Sequence, residues 1–515
     1  MRESSTSTVA PDRPGPLRKN PPGAMSYSVP RFRAYWLEGD RLIHNHYYEK
    51  RAAWMLRGAA ILFGFGLTMQ AQLPDFTPAS PLIGALMHND TAEAKRLLAN
   101  GADPNAGKFV NAPPIFLAVN RGDVGLVRLM VEKGAKVKDV DGNGATTLMW
   151  AAGNETGDTS MVEYLIQQGV DPNAANKSGE TALTWALRRG YPDVIAVLRK
   201  AGANETAMIR SSVEKSLALF TKSGPQFVRV SGCVSCHHQS LPQMALSLAR
   251  KRGIPVDEQL AKQQTEATAA LLNSAKEVVL QKKELIPDPA ISVSYLLLGL
   301  AADKYPADEM TTNMTKLIAS WQLADGSFPG LPMRPPIESN NITATALSLR
   351  ALQVYGKESA DRVRQARQWL IAAKPKNNEE RAMQLLGLKW SDAPAAEVQN
   401  AAQELIASQR PDGGWGQLPG LESDSYATGQ AMVALNWAGQ MSTADPVYQR
   451  GISFLLRTQL SDGSWLVRTR SVPVQPYKES GFPHGPNQWI SATGTSWAAM
   501  ALTLALPANQ QSSGL

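Results

Sequence analysis

Gln409-Arg410-Pro411-Asp412-Gly413-Gly414-Trp415 decides the fold of the longer part of this chain, because the pattern recurs. Gln322 to Phe328 reads Gln-Leu-Ala-Asp-Gly-Ser-Phe, and Gln459 to Trp465 reads Gln-Leu-Ser-Asp-Gly-Ser-Trp. Asp-Gly is a turn pair, and the aromatic two residues later is placed to fold back on a helix end. Apolar stripes precede each copy: Leu317, Ile318 and Trp321; Leu405 and Ile406; Phe454 and Leu455. Lys374 marks the place of a fourth, degenerate copy. The unit is therefore a helix, a turn, and another helix.

Working outward, helical periodicity sorts the residues after 206 into two alternating sets. Small-residue-rich helices are expected near 240–252, 290–303, 340–355, 379–389, 424–439 and 489–506. Amphipathic partners are expected near 207–222, 257–283, 307–322, 359–373, 394–409 and 445–459. The first set carries Thr343-Ala344-Thr345-Ala346, Ala427-Thr428-Gly429 and Ala498-Ala499, side chains small enough for helices to converge. With few β-branched runs anywhere, the chain reads as all-α.

The repeated motif resembles the QW motif of squalene–hopene cyclases and related prenyltransferase-like proteins. The resemblance covers about 300 residues and implies an (α/α)6 toroid over 240–506, with 507–515 as a tail. It also directs attention to acids. Those cyclases protonate an alkene with an aspartate of a D-x-D-D motif, and alkene protonation needs a strong, preorganised acid. The comparable stretch runs from Leu421 to Thr428, where Asp424 and Glu422 are the candidate catalytic acids. The paired carboxylates of the family motif are missing there. Glu338 likewise precedes an inner helix. Acids in such places ordinarily cap the helix. Trp415, Tyr426, Trp465 and Trp489 are aromatic candidates for lining a cavity, with motif packing as the alternative.

Residues 80–205 repeat at a period near 33. Leu82, Ile115, Leu148 and Leu183 hold one equivalent place, and Gly101, Gly134, Gly169 and Gly202 another. A glycine there supplies the left-handed turn that stops a helix. With Thr181-Ala182-Leu183-Thr184-Trp185-Ala186, the segment resembles ankyrin repeats, four units long. The resemblance implies stacked helix pairs and a surface for a protein partner.

Between the two arrays, residues 206–239 form a linker helix and a loop holding Cys233-Val234-Ser235-Cys236-His237. These are the only two cysteines of 515 residues. C-x-x-C-H is the attachment signature of a c-type haem: two thioethers fix the porphyrin and the histidine ligates its iron. Cys233, Cys236 and His237 are the expected haem c residues, with His237 as proximal ligand and Met244 or His484 as distal candidates. A redox dithiol, or a zinc site using His238 as well, are the alternatives. As the first connection between an outer and an inner helix, this loop is expected on the same rim as the Asp-Gly-aromatic turns.

Residues 1–54 are rich in Pro, Ser and Arg and read as disordered, or as an over-extended start. Residues 55–71 read as a signal peptide: Arg57, an apolar run from Gly58 to Leu67, then cleavage after Ala71. A periplasmic or secreted location follows, with membrane contact only through that segment if it stays uncleaved. The formal charge is +7, but residues 1–71 hold 10 of the 52 Lys and Arg and 5 of the 45 Asp and Glu. The remainder is near neutral, which gives no reason to invoke nucleic acid.

These features point to an exported c-type haem protein. It passes electrons to an unidentified redox partner, or oxidises a hydrophobic or glycan ligand held in the toroid, while the ankyrin array docks a protein. A terpenoid cyclase or lyase, and a non-catalytic scaffold, are the competing expectations.

Overall fold

The computed structural model describes residues 80–281, 286–357, 359–472 and 476–507. The segments expected to be disordered (1–54) and to form the signal peptide (55–71) lie outside them. Among the described residues there are helices and isolated bridges but no strand. No described helix is long and apolar enough to cross a membrane.

Four helix pairs come first: α1 (Pro81–Met87) with α2 (Thr91–Ala99), α3 (Pro114–Asn120) with α4 (Val124–Glu132), α5 (Thr147–Gly153) with α6 (Thr159–Gln167), and α7 (Ala182–Arg189) with α8 (Pro192–Lys200). First helices stack on first helices and second on second. Leu82, Ile115, Leu148 and Leu183 are buried along that stack. Gly101, Gly134, Gly169 and Gly202 all take positive φ, as helix-stopping positions require. Each pair is too small to bury its own apolar face, so neighbours must stack to build the core.

Twelve longer helices follow. One set is α9 (Thr206–Ser231), α11 (Glu258–Ala275), α13 (Glu309–Ser320), α15 (Ala360–Ala372), α17 (Ala395–Ala407) and α19 (Pro446–Thr458). The other is α10 (Leu241–Lys251), α12 (Pro289–Ala302), α14 (Asn341–Tyr355), α16 (Asn378–Trp390), α18 (Ser425–Trp437) and α20 (Gln488–Leu504). Members of the second set touch one another in order, and α20 returns to α10. Each member of the first set packs against two consecutive members of the second, with α9 lying between α20 and α10. The contacts thus describe an inner cycle of six and an outer cycle of six. α18, hydrophobic or small on every side, is buried almost throughout, as an inner helix must be.

The repeated motif is the fastener of this arrangement. Gln409 Nε2 donates to Gly413 O inside its own turn (2.9 Å) and to Val447 O on the next outer helix (2.8 Å). Gln459 Nε2 does the same to Gly463 O and to Ser212 O, tying the last outer helix to the first. Trp415 is fully buried; its Nε1 donates to Leu405 O (2.9 Å) and its backbone N–H to Thr428 Oγ1 of α18 (2.9 Å). One turn therefore binds an outer helix, the next outer helix and an inner helix. Gly413 has φ +85°, and a Cβ there would lie 2.6 Å from Arg450 O, so the turn accepts no side chain.

The ankyrin array sits against α19. Arg199 donates to Glu205 Oε1 (2.5 Å) and to Ser453 Oγ of α19 (3.0 Å), and Leu456 packs against the cores of both arrays.

Candidate functional site

The Cys-x-x-Cys-His stretch leaves α9 through Gly232, whose positive φ ends the helix. It continues as a π-helical turn, Cys236–Ser240, directly into α10. π-turns are rare and frequently mark functional sites. Here the turn is held at several points. Ser235 Oγ accepts from His238 N (3.2 Å) and contacts His237 Nδ1 (3.1 Å). Gln239 Oε1 accepts from Ser235 N (2.8 Å), while its Nε2 donates to Gly224 O and Gln264 Oε1. α12 approaches so closely that a Cβ on Gly299 would lie 2.8 Å from Ser240 Cα.

Cys233 is exposed and Cys236 buried. Both line one cavity of about 440 Å³ together with His237, a volume in the range of pockets for drug-sized ligands. Its walls are Leu271, Leu272 and Ala275 of α11, Leu296 of α12, Ile286 and Pro287, Phe227 and Trp489. Arg334, Glu338 and Lys478 supply the charges. Four outer-to-inner connections contribute: those leading into α10, α12, α14 and α20. Glu338, singled out from the sequence, is therefore a wall residue, paired with Arg334. Trp489 also lines the cavity, whereas Trp415 and Trp465 are buried motif aromatics.

The two histidines differ in their surroundings. The His237 ring lies flat against Trp489 (5.3 Å, 11°). That of His238 lies flat on Phe227 (4.7 Å, 8°), and its Nε2 hydrogen-bonds Ser480 Oγ (2.8 Å). Burial, then the neighbouring His238, holds His237 well below the usual imidazole range. It is neutral at physiological pH, the form that ligates a metal. Burial and the Glu338 charge push the Cys236 thiol up to about 12. Among the described residues, no group of three or more His, Cys, Asp or Glu side chains is arranged to hold a metal ion, so the zinc alternative finds no four-ligand set.

The donor types fit a covalently attached haem: both thiols and the His237 imidazole line the same cavity. The His237 Nδ1 contact with Ser235 fixes the ring orientation, the outer-contact arrangement usual for ligating histidines. Neither distal candidate lines this cavity. Met244, on α10, packs against the hydrophobic core. His484 hydrogen-bonds Ser464 Oγ (2.8 Å) within the last Asp-Gly-Ser-Trp turn.

The candidate acids are separated by the structure. Glu422 is exposed. Asp424 is the N-cap of α18, accepting from Ala427 N (2.9 Å) and from Gln417 Nε2 (2.9 Å). Burial nonetheless raises its carboxyl to about 6. Replacing a capping aspartate with alanine typically costs about 1 kcal/mol. One buried acid escaped sequence reasoning. Glu379, in the first turn of α16, is buried and accepts from Tyr426 Oη of α18 (2.8 Å) and Thr343 Oγ1 of α14 (3.1 Å). Burial, opposed by those hydrogen bonds, raises it to about 7. Tyr295 Oη of α12, also buried, has no hydrogen-bond partner, and its titration is pushed up by the Glu379 charge after burial itself. The only sequence signal was Asn377-Asn378-Glu379-Glu380 at an inner-helix start, which reads as an ordinary cap.

A pH dependence follows. An unfolded Glu379 ionises near the ordinary 4.5 and the folded one near about 7. Between those values the folded state keeps a proton that the unfolded state has lost, so stability falls as pH rises through this window. The buried histidines act in the opposite sense, which makes the difference from a variant the informative quantity. Glu379→Gln should gain a few kcal/mol relative to the parent between pH 5 and pH 8. Urea unfolding at the two pH values measures this; a constant difference would contradict it.

Comparison with known proteins bears on both arrays. The family described as Ankyrin repeats (3 copies) matches residues 82–176 and again 115–209. The chain therefore carries ankyrin repeats, which serve protein–protein interaction generally. It is also similar to lanosterol synthase of Candida albicans (strain SC5314), 33% identical over 93 residues. That match covers 16% of this chain and 12% of the synthase, so the likeness concerns a short part of each.

Proposed function

We propose that this chain is an exported c-type haem protein, with haem bound through Cys233 and Cys236 and His237 as an iron ligand. The observation that carries the reading is the meeting of both thiols and a neutral imidazole on one apolar-walled cavity. Bound there, haem supplies one-electron and oxygen chemistry. Ser235 orients His237, Leu271, Leu272 and Leu296 exclude water, and Arg334 and Lys478 offer positive charge to anionic groups. The ankyrin array recruits a protein partner, and a hydrophobic or glycan ligand is taken by the helical double ring. The protein passes electrons to a redox partner, or oxidises that ligand by drawing electrons from it and handing them to such a partner. Export through the segment 55–71 places the protein where haem attachment occurs. Expressed with a cytochrome c maturation system, the exported protein should give a c-type pyridine haemochrome spectrum with one haem per chain; a colourless product refutes the reading.

A second reading is supported by the likeness to lanosterol synthase and by Glu379. In a cyclase or lyase of the helical ring, a buried carboxyl kept protonated near neutrality by its surroundings suits general acid work. Asp424, a cap, and Glu422, exposed, suit it less. Loss of turnover of an isoprenoid substrate on Glu379→Gln, with the haem spectrum retained, would favour this reading.

A further inference from the structure

We infer that the cavity provides His237 as its one strong axial ligand and leaves the iron's second axial position to a small exogenous diatomic ligand. This rests on the haem reading above and goes beyond it by separating ligand chemistry from plain electron transfer. The side chains to weigh are the described histidines together with Met244 and Met333; Met333, next in sequence to the wall residue Arg334, is exposed and does not line the cavity.

Histidine and methionine are the strong candidates. His238 is adjacent to the proximal ligand and is engaged three ways, by stacking on Phe227, by the Nε2 bond to Ser480 and by the contact of its Nδ1 with His237 Nδ1. His484 is engaged with Ser464 in a turn away from the cavity wall. His88 lies in the ankyrin array, where its Nδ1 bonds Gly84 O. Met244 packs into the core from α10. The cavity wall itself contains no methionine and no histidine besides His237.

One part of the wall is apolar: Leu271, Leu272, Ile286, Pro287 and Leu296. Such surface stabilises no charged or strongly hydrated ligand, because desolvation is uncompensated there. It accepts a neutral diatomic molecule at little cost. Glu338, the one carboxylate on the wall, is neutralised by Arg334. Lys478 is exposed and is the remaining charged donor; Ser231, Ser274 and Ser292 add neutral hydroxyls.

The test uses the matured, full-length protein and two spectra. The pyridine haemochrome reports covalent haem whatever the native axial ligands are, because pyridine displaces them. The native ferric spectrum and its electron paramagnetic resonance report the spin state. The expected result is a positive haemochrome, a high-spin ferric iron, and stoichiometric carbon monoxide binding to the dithionite-reduced protein. A positive haemochrome with a low-spin ferric iron that resists carbon monoxide overturns this inference while haem attachment stands. Conversion to high spin by Lys478→Ala, Met244→Ala or His484→Ala would then name the side chain that fills the position. A negative haemochrome removes both proposals together.

Discussion

Gly429→Leu should break the inner cycle of helices and destabilise the protein by about 3 kcal/mol, the upper end of the usual overpacking cost. Gly429 lies mid-way along α18 where that helix meets α20. A Cβ at this position would stand 2.5 Å from Ala498 N and 2.5 Å from Trp497 C. Those are backbone atoms of a helix that cannot change rotamer to escape. The contact therefore opens only if the two helices separate. Separation withdraws Thr428 Oγ1 from the Trp415 N–H, so the motif turn loses its inner anchor. Gly420→Leu is the control: this residue lies in the connection leading into α18, and a Cβ there meets nothing within 4 Å. Thermal and urea unfolding should show a large loss for the first variant and almost none for the second. Equal behaviour would mean that the α18–α20 contact does not hold the ring closed.

The second large effect concerns the proposed haem residues. Cys233→Ala combined with Cys236→Ala should abolish covalent haem altogether while leaving helical content and the unfolding midpoint of the apoprotein close to the parent. Cys233 is exposed and contributes its thiol only to Val234 O (3.3 Å), so its loss disturbs little. Cys236 is buried, but alanine leaves only a small void beside Val234 and the cavity. Each single variant should retain one thioether and show a haemochrome band displaced toward that of a singly attached porphyrin. His237→Ala is distinct: both thioethers form, and the axial ligand is lost. If the double variant collapses instead, the two cysteines are core residues first, and the haem reading loses its main support.

The helical double ring was legible because its motif is a chemical device written in consecutive residues. Gln459, Gly463 and Trp465 each have one job, and all three jobs are done within seven positions. The inner and outer helices predicted from periodicity lie within a few residues of α9 to α20, apart from 207–222, which α9 continues to Ser231, and 257–283, which breaks after Ala275. The ankyrin units were legible for the same reason, since a helix-stopping glycine returns at a fixed interval. The cavity was only partly legible. Its cysteines and His237 are contiguous, but Leu271, Leu296 and Arg334 come from three other connections or helices, and nothing local marks them. Glu379 escaped notice because an acid in the first turn of a helix is ordinary. Its enclosure depends on Tyr426 and Thr343, 47 and 36 residues away. Asp424 drew attention by its likeness to a family position, and it is held as a cap of α18.

The central claim is that iron porphyrin is bonded to both sulfurs at this cavity, and the intact mass of the exported protein, combined with thiol titration, tests it most directly. The account predicts a chain heavier by one haem in which neither Cys233 nor Cys236 reacts with a thiol reagent, even after denaturation. A chain of unmodified mass with two titratable thiols would contradict it.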